Sequence, residues 1–264
     1  MKMINCRRAL GATLSHYAKS IGKADQVTAL LAKLQELVKI IGQESRNERV
    51  LFALGTALLA DQKTVIVPVC PDYSHNGWRY TFEGLNGGVS LVTQKHLEFL
   101  LAVKEIFPDL QVIFLMADHE ADDEAICCKV GKTRDEFQRL VLQSAEATRC
   151  LMAPLGWQSH LMTELIPDLV VQEAKIAAEL TGDEALSQGL RQDAVSREDL
   201  SRLIYHAFTR EEVFTRTVRT AAQYKAMGQF VAGRNYLVCN HTTVNLRWYV
   251  ETDAALLHNP VRIY

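Results

Sequence analysis

Two stretches of the chain place nucleophilic, basic and oxygen-rich side chains directly after short apolar runs. The first is Cys70-Pro71-Asp72-Tyr73-Ser74-His75-Asn76, continuing to Arg79 and Tyr80. Ser74 or Cys70 could serve as a nucleophile with a histidine as its base. Ser74 and His75 are sequence neighbours whose side chains usually point apart, so the base is expected from another segment, His119 or His241. Binding chemistry asks less of the geometry. Asp72, Ser74, His75, Asn76 and Arg79 can orient a polar substrate, while Cys70 and Tyr73 can line its pocket. Turn-building alone also favours Asp, Ser and Asn.

The second stretch is Asp118-His119-Glu120-Ala121-Asp122-Asp123-Glu124, dense in carboxylates with one imidazole. Asp118, Asp122 and Asp123 are candidate ligands for Mg²⁺, which is held by one or two protein carboxylates. A single acid gripping a substrate amine or hydroxyl is the competing reading, and a helix N-terminus, which favours acids, is a third. Asp118 is the first residue after its apolar run, which makes it the strongest single candidate, with His119 beside it.

A third polar cluster lies near the C-terminus: Asn240, His241, Asn245, Arg247, Tyr249, Glu251, His258, Asn259 and Arg262. On a strand, Arg247, Tyr249 and Glu251 would share one face. That face could bind a carboxylate or phosphate, or simply meet solvent. Gly84-Leu85-Asn86-Gly87-Gly88-Val89-Ser90 leads into a helix, but it matches neither a Walker loop nor a dinucleotide fingerprint in spacing. A simple turn accounts for it.

These residues need elements to position them. Residues 5–41 have helical composition, with Gly22 as a break, and Val27, Leu30, Leu31, Leu34, Leu37, Val38 and Ile41 form an apolar stripe. A further helix is predicted over 46–60. Thr64–Cys70 then reads as a buried strand, and Pro68 within it points to an edge position or an early end. Residues 71–88 read as a polar, turn-rich connection. A helix over 89–107, a strand over 110–117 and a helix starting at Thr133 follow, the last marked by the capping-box spacing to Glu136. Residues 168–230 read as helical with a turn at Thr181-Gly182-Asp183. Tyr236–Asn240 and Val261–Tyr264 are candidate returning strands, and Leu246–Val250 is a strand or a helix. The βαβα alternation predicts an α/β fold: a Rossmann-like, mostly parallel sheet flanked by helices, with right-handed crossovers. In such sheets, ligands bind outside the carboxyl ends of the strands.

Composition sets the outer bounds. With 264 residues at 48% hydrophobic and 23% charged, the chain can bury one large core and is not a disordered sequence. An N-terminal helical region, 1–60, is expected to pack on a Rossmann-like domain, 61–264, as one unit. A net charge of -2 makes no global case for nucleic acid. Residues 1–60 nevertheless carry nine Lys/Arg against four Asp/Glu, a basic region that could face tRNA or a partner or be plain solvated helix. The six cysteines form no C-x-x-C pair, which speaks against zinc-ribbon and thioredoxin chemistry and for a reducing compartment. No apolar run has the length of a membrane span or signal segment, so a cytoplasmic protein is expected.

The order of elements resembles that of the Rossmann-like isocyanide (isonitrile) synthases and, more remotely, the cyclodipeptide synthases. The likeness covers about residues 65–147. It rests on Pro68 with Ser74 and Asn76, on Ala117-Asp118-His119 with Asp122 or Asp123, and on the helix opening Thr133-Arg134-Asp135-Glu136-Phe137. Tyr73 stands where that family has Lys, and His119 where it has Gly. The resemblance implies a transferase or synthase acting on an amino acid or aminoacyl group, with Ser74 and Asn76 positioning substrate and Asp118 as a polar anchor. Two alternatives stand beside it. One is a metal-dependent hydrolase or phosphotransferase built on Asp118–Asp123. The other is a non-catalytic RNA- or partner-binding protein using the basic N-terminal helices.

Overall fold

The computed structural model describes residues 2–41, 47–61, 63–71, 73–76, 79–85, 87–118, 123–124, 127–128, 131–200, 209–231, 234, 236–240 and 255–258, with the backbone alone for 2–9, 38–41, 47–51, 53, 73–76, 79–85, 193, 195–200, 240 and 255–258. Three helices come first: α1 (Lys2–Ser20), α2 (Val27–Ile41) and α3 (Asn47–Leu59). Strand β1 (Thr64–Val69) is followed by β2 (Tyr73–Asn76) and β3 (Arg79–Leu85), then α4 (Leu91–Ile106) and β4 (Gln111–Met116). Next come α5 (Arg134–Met152), β5 (Gln158–Leu161), the short α6 (Met162–Leu165), α7 (Leu169–Gly182), α8 (Glu184–Leu200) and α9 (Arg210–Val231). Strands β6 (Tyr236–Asn240) and β7 (Ala255–His258) complete the described elements.

Five strands form one sheet in the order β5-β4-β1-β6-β7, and every pairing in it is parallel. The chain builds outward from β1 through β4 to β5, then returns to the other side of β1 for β6 and β7. A reversal of direction with crossovers of one hand requires a change of face, and the core clusters show that change. Val65, Val67, Val69, Phe114, Leu237 and Cys239 pack on one face with Phe99, Leu100 and Val103 of α4 and Ala145 and Met152 of α5. Ile66, Leu115 and Val238 pack on the other with α7, α8 and α9 through Ile176, Leu190, Val218, Ala222 and Met227. The strands alternate between these two apolar layers, which is why they read as continuous hydrophobic runs. Leu14, Leu34, Leu37 and Leu54 from α1, α2 and α3 belong to the first layer. Helices α1, α2 and α3 thus share the first face's core with β1 and α4.

Two sequence expectations require correction, and a third element had no counterpart in the sequence reading. Pro68 does not mark an edge: β1 is the middle strand, paired on both sides. The register shows how a proline fits there. Val69 C=O accepts from Ala117 N–H at 2.9 Å, so the main chain of residue 69 faces β4 and that of residue 68 faces β6. The β1–β6 ladder runs only from Thr64↔Tyr236 to Ile66↔Val238. The missing N–H of Pro68 therefore falls where that ladder has already ended. Second, 71–88 is not a plain loop, because β2 and β3 pair as an antiparallel hairpin with Asn76↔Arg79 and His75↔Tyr80 in register. Gly77, the first of the two residues between the paired Asn76 and Arg79, is its sequence signal. Third, Gln158–Leu161 is a strand that length and composition concealed. Val261–Tyr264 and Leu246–Val250 lie outside the described residues.

Local chemistry explains the helix starts at the sheet edge. Ser90 caps α4, its Oγ accepting from Thr93 N–H at 3.1 Å. Thr133 and Glu136 form the predicted capping box on α5. Gly87 is held at φ +70°, and a β-carbon there would meet Gln143 Oε1 at 2.8 Å and Cβ at 3.0 Å. Ser144 Oγ donates to Gly88 C=O at 2.6 Å, fastening the same loop to α5. Gly131 shares the left-handed backbone, at φ +65°, but has open space around it. Gly87→Ala should therefore cost clearly more than Gly131→Ala. The latter carries only the left-handed strain, about 1–2 kcal/mol, and urea denaturation of the two variants measures the difference.

Candidate functional site

The carboxyl edge of the sheet is where the sequence candidates gather. Val69 pairs with Met116, so Cys70 and Ala117 leave adjacent strands side by side and Asp118 follows one residue on. On the other side of β1, Asn240 lies level with Pro68, two residues beyond the last β1–β6 pair. Direction also reverses between β1 and β6. In parallel sheets such a reversal marks the crevice where ligands bind, and here the β1–β6 ladder ends at Ile66↔Val238, with the absent N–H of Pro68 just beyond it. Tyr73, Ser74, His75, Asn76 and Arg79 lie on the β2–β3 hairpin, which starts only three residues beyond the end of β1. The backbone thus brings Cys70, Asn240 and the hairpin to one edge. Asp72, His119, Asp122, Arg247, Tyr249 and Glu251 lie outside the described residues.

Asp118 turns away from this crevice. Its carboxylate accepts from Thr163 N–H at 3.2 Å and from the Thr163 hydroxyl. Thr163 opens α6 just after β5, the neighbour of β4 on the side remote from β1. Asp118 therefore braces two consecutive connections at the sheet edge. Burial raises its pKa above the ordinary carboxylate value, and the Thr163 bonds oppose that rise.

Asp123 is committed elsewhere. Its Oδ2 stands 3.4 Å from Arg216 Nη2 and 3.6 Å from Arg219 Nη1, both on α9. Arg219 Nε donates to Glu173 Oε1 of α7 at 2.6 Å, and Gln223 donates to Glu173 Oε2 at 3.3 Å. All four charged side chains are largely buried: Arg216 is 13% exposed, Asp123 18%, Arg219 26% and Glu173 10%. Two cations and two anions balance there, which lowers the cost of holding charge away from water. A divalent cation at Asp118 and Asp123 would have to displace Thr163 and two guanidinium groups. Among the described residues no cluster of three or more His, Cys, Asp or Glu side chains is placed to hold a metal.

Sequence reading missed a polar line on α4. Ser90, Thr93 and His96 recur every three residues and are all fully buried on the helix that follows the hairpin. His96 Nδ1 lies 3.7 Å from Cys239 Sγ, one residue before the end of β6. Burial pushes the Cys239 thiol up, so it stays protonated and does not act as a thiolate. The signal for this line was three polar residues on the apolar stripe of an otherwise core-facing helix. Thr163, Arg216 and Arg219 were missed because their partners lie at least 45 residues away. Among the described residues no helix is long and apolar enough to cross a membrane. An open depression of about 430 Å³ between α7 and α8, lined by Thr181, Ser187 and Arg191, lies apart from these strand ends.

Asp118→Ala should destabilise the fold by about 1–2 kcal/mol, because two donors of Thr163 lose a charged acceptor but can still reach water. The pH dependence follows from the raised pKa. Between the unfolded value, 3.8, and the higher folded one, the folded state holds a proton that the unfolded state has released. Stability from this group therefore falls as pH rises through that interval. The stability of the wild type minus that of Asp118→Asn should shrink as pH is raised from the ordinary carboxylate range toward neutrality, as followed by urea denaturation.

No family model matches the chain, and no curated protein or solved structure matches it. The reading of the site stands on its own residues.

Proposed function

We propose that the chain is a Rossmann-like small-molecule transferase or synthase that takes an amino acid or aminoacyl group in the crevice between the carboxyl ends of β1 and β6. One observation carries this reading. Where the chain changes direction within the sheet, the central strand bears Pro68, whose missing N–H leaves the β1–β6 ladder unextended. A central strand ordinarily excludes proline, and a ligand crevice is the setting in which an unextended ladder is useful. The residues nearest that gap are Cys70, Asn240 and the hairpin bearing Tyr73, Ser74, His75, Asn76 and Arg79. The amino-acid class of substrate follows from the likeness of residues 65–147 to the isocyanide synthases, which casts Ser74 and Asn76 as positioning groups. Asp118 supports these parts from the β5 side through Thr163.

Cys70 is half-buried at the exit of β1 and reports on the crevice. In a variant with Cys6, Cys128 and Cys150 replaced by serine, maleimide labelling of Cys70 is followed with and without amino acids and their esters. A true ligand at a hundred times its Kd adds about 2.7 kcal/mol of stability. It should raise Tm and slow Cys70 labelling several-fold, and Ser74→Ala should weaken both effects while leaving the ligand-free Tm unchanged. If none of the standard amino acids or their esters moves Tm or protects Cys70, the proposal fails.

A further inference from the structure

We infer that His96 is a positioning residue for the crevice: from α4 it holds the β6 wall, through Cys239, at the level where Pro68 leaves the β1–β6 ladder unable to do so. The inference deepens the proposed function by naming a residue that sets one wall of its site, and it rests on that reading for the ligand.

The register shows why such a tie is needed. Along a strand, successive residues turn their main chains to opposite neighbours. Val69 C=O accepts from Ala117 N–H, so residues 65, 67 and 69 face β4, while Thr64, Ile66 and Pro68 face β6. In a parallel pair, a residue bonds to the two residues that flank its partner. Ile66 is level with Val238, so its N–H reaches Leu237 C=O and its C=O receives Cys239 N–H. The next rung would run from the N–H of residue 68 to Cys239 C=O, and Pro68 has no N–H to give. Cys239 is therefore the residue at which the β1 side of β6 loses its ladder. Beyond it, Asn240 is paired with His258 of β7.

A side chain from α4 meets β6 at that residue. His96 Nδ1 lies 3.7 Å from Cys239 Sγ, within reach of a hydrogen bond involving sulfur. Both residues are fully buried. Burial keeps the thiol protonated, so Cys239 has an S–H to donate. The next residues on the same inward stripe, Phe99, Leu100 and Val103, are apolar. A leucine at position 96 would fill such a core without the cost of burying an imidazole. A polar pair kept against that cost serves orientation better than stability. Helix α4 is itself anchored at its start, where Ser90 Oγ receives Thr93 N–H and Gly88 C=O receives Ser144 Oγ. The β2–β3 hairpin leads directly into that start. One helix thus links the exit of the hairpin to the end of β6.

Amide hydrogen exchange of the full chain, followed by NMR, tests the tie. In His96→Leu the Cys239 amide should exchange about fivefold faster or more, the scale of one hydrogen bond. The amides of Val65 and Val67, which face β4, should keep their rates. His96→Asn, whose Oδ1 stands near the place of Nδ1, should restore part of the protection. Pro68→Val supplies the missing N–H, and in that background His96→Leu should change Cys239 exchange by less than about twofold. An imidazole that only filled the core would act alike in both backgrounds. Unchanged Cys239 exchange in His96→Leu, or equal acceleration with and without Pro68→Val, overturns the inference. The ligand arm uses the Cys70-labelling variant described above, with amino acids and their esters as probes. Probes that slow labelling should do so several-fold less in His96→Leu and recover in His96→Asn. Full protection in His96→Leu would leave the proposed function standing and remove the positioning role. No protection in any background, with Cys239 exchange responding as expected, would remove the proposed function and leave the hold of His96 on β6 in place.

Discussion

A central strand that lacks one N–H constrains the whole carboxyl edge. Each interior strand of a parallel sheet must satisfy donors and acceptors on both sides, and an unmet buried amide or carbonyl costs free energy comparable to a lost hydrogen bond. Pro68 removes one donor from β1 on the β6 side alone, leaving the β4 side intact through Ala117 N–H and Val69 C=O. The sheet answers by keeping β1 with β4 to the end, Val69↔Met116, and letting β6 part after Ile66↔Val238. Beyond that point β6 continues with β7 alone, as far as Asn240↔His258. The end of the β1–β6 ladder thus coincides with one side chain, and the described connections at this edge are secured by contacts other than the ladder.

Three ties do this work, each of a different chemical kind. Ser144 holds the backbone of Gly88 by a neutral hydrogen bond, which sets the loop that launches α4. Asp118 grips Thr163 with a half-buried carboxylate, joining the exit of β4 to the exit of β5. Asp123 joins the same β4 connection to α9 through two arginines. The neutral tie sits on the first face of the sheet, and the arginine tie on the second. Buried ion pairs add little net stability when desolvation is counted against attraction, but they can fix register.

Much of the architecture was legible because period and length are local properties. The change from a 3.6-residue stripe in Val27–Ile41 to the continuous run Thr64–Val69 announced helix then buried strand, and Thr133 with Glu136 marked the start of α5. The parallel sheet with flanking helices followed from that alternation. What failed were inferences that needed a neighbour. Pro68 signals an edge unless one knows that β6 stops short of it. Gln158–Leu161 is only four residues long, and three of them, Gln158, Ser159 and His160, are polar, so it becomes a strand only because β4 lies alongside as a template. At the site, sequence located the strand ends that carry Cys70, Asp118 and Asn240. It could not tell which way Asp118 faces, because that is decided by Thr163, 45 residues away. The basic balance of residues 1–60 likewise says nothing about packing. The apolar stripe of α2, with Leu30, Leu34 and Leu37, is spent on the core of the first face.

The two faces of the sheet differ in the polar groups they bury near this edge. Beneath the first face the polar groups are Ser90, Thr93, His96 and Cys239, all fully buried, with the thiol kept protonated by its burial. Hydroxyls and a thiol of that kind carry no fixed charge. Over the second face stand Arg216 and Arg219, permanently cationic and paired with Asp123 and Glu173. Charge in a low-dielectric setting acts more strongly than in solvent, so these pairs tie the β4 connection and α7 to α9 more firmly than exposed pairs would. The difference between the two faces follows from which helix packs on which, and that assignment was fixed when the chain reversed direction across β1.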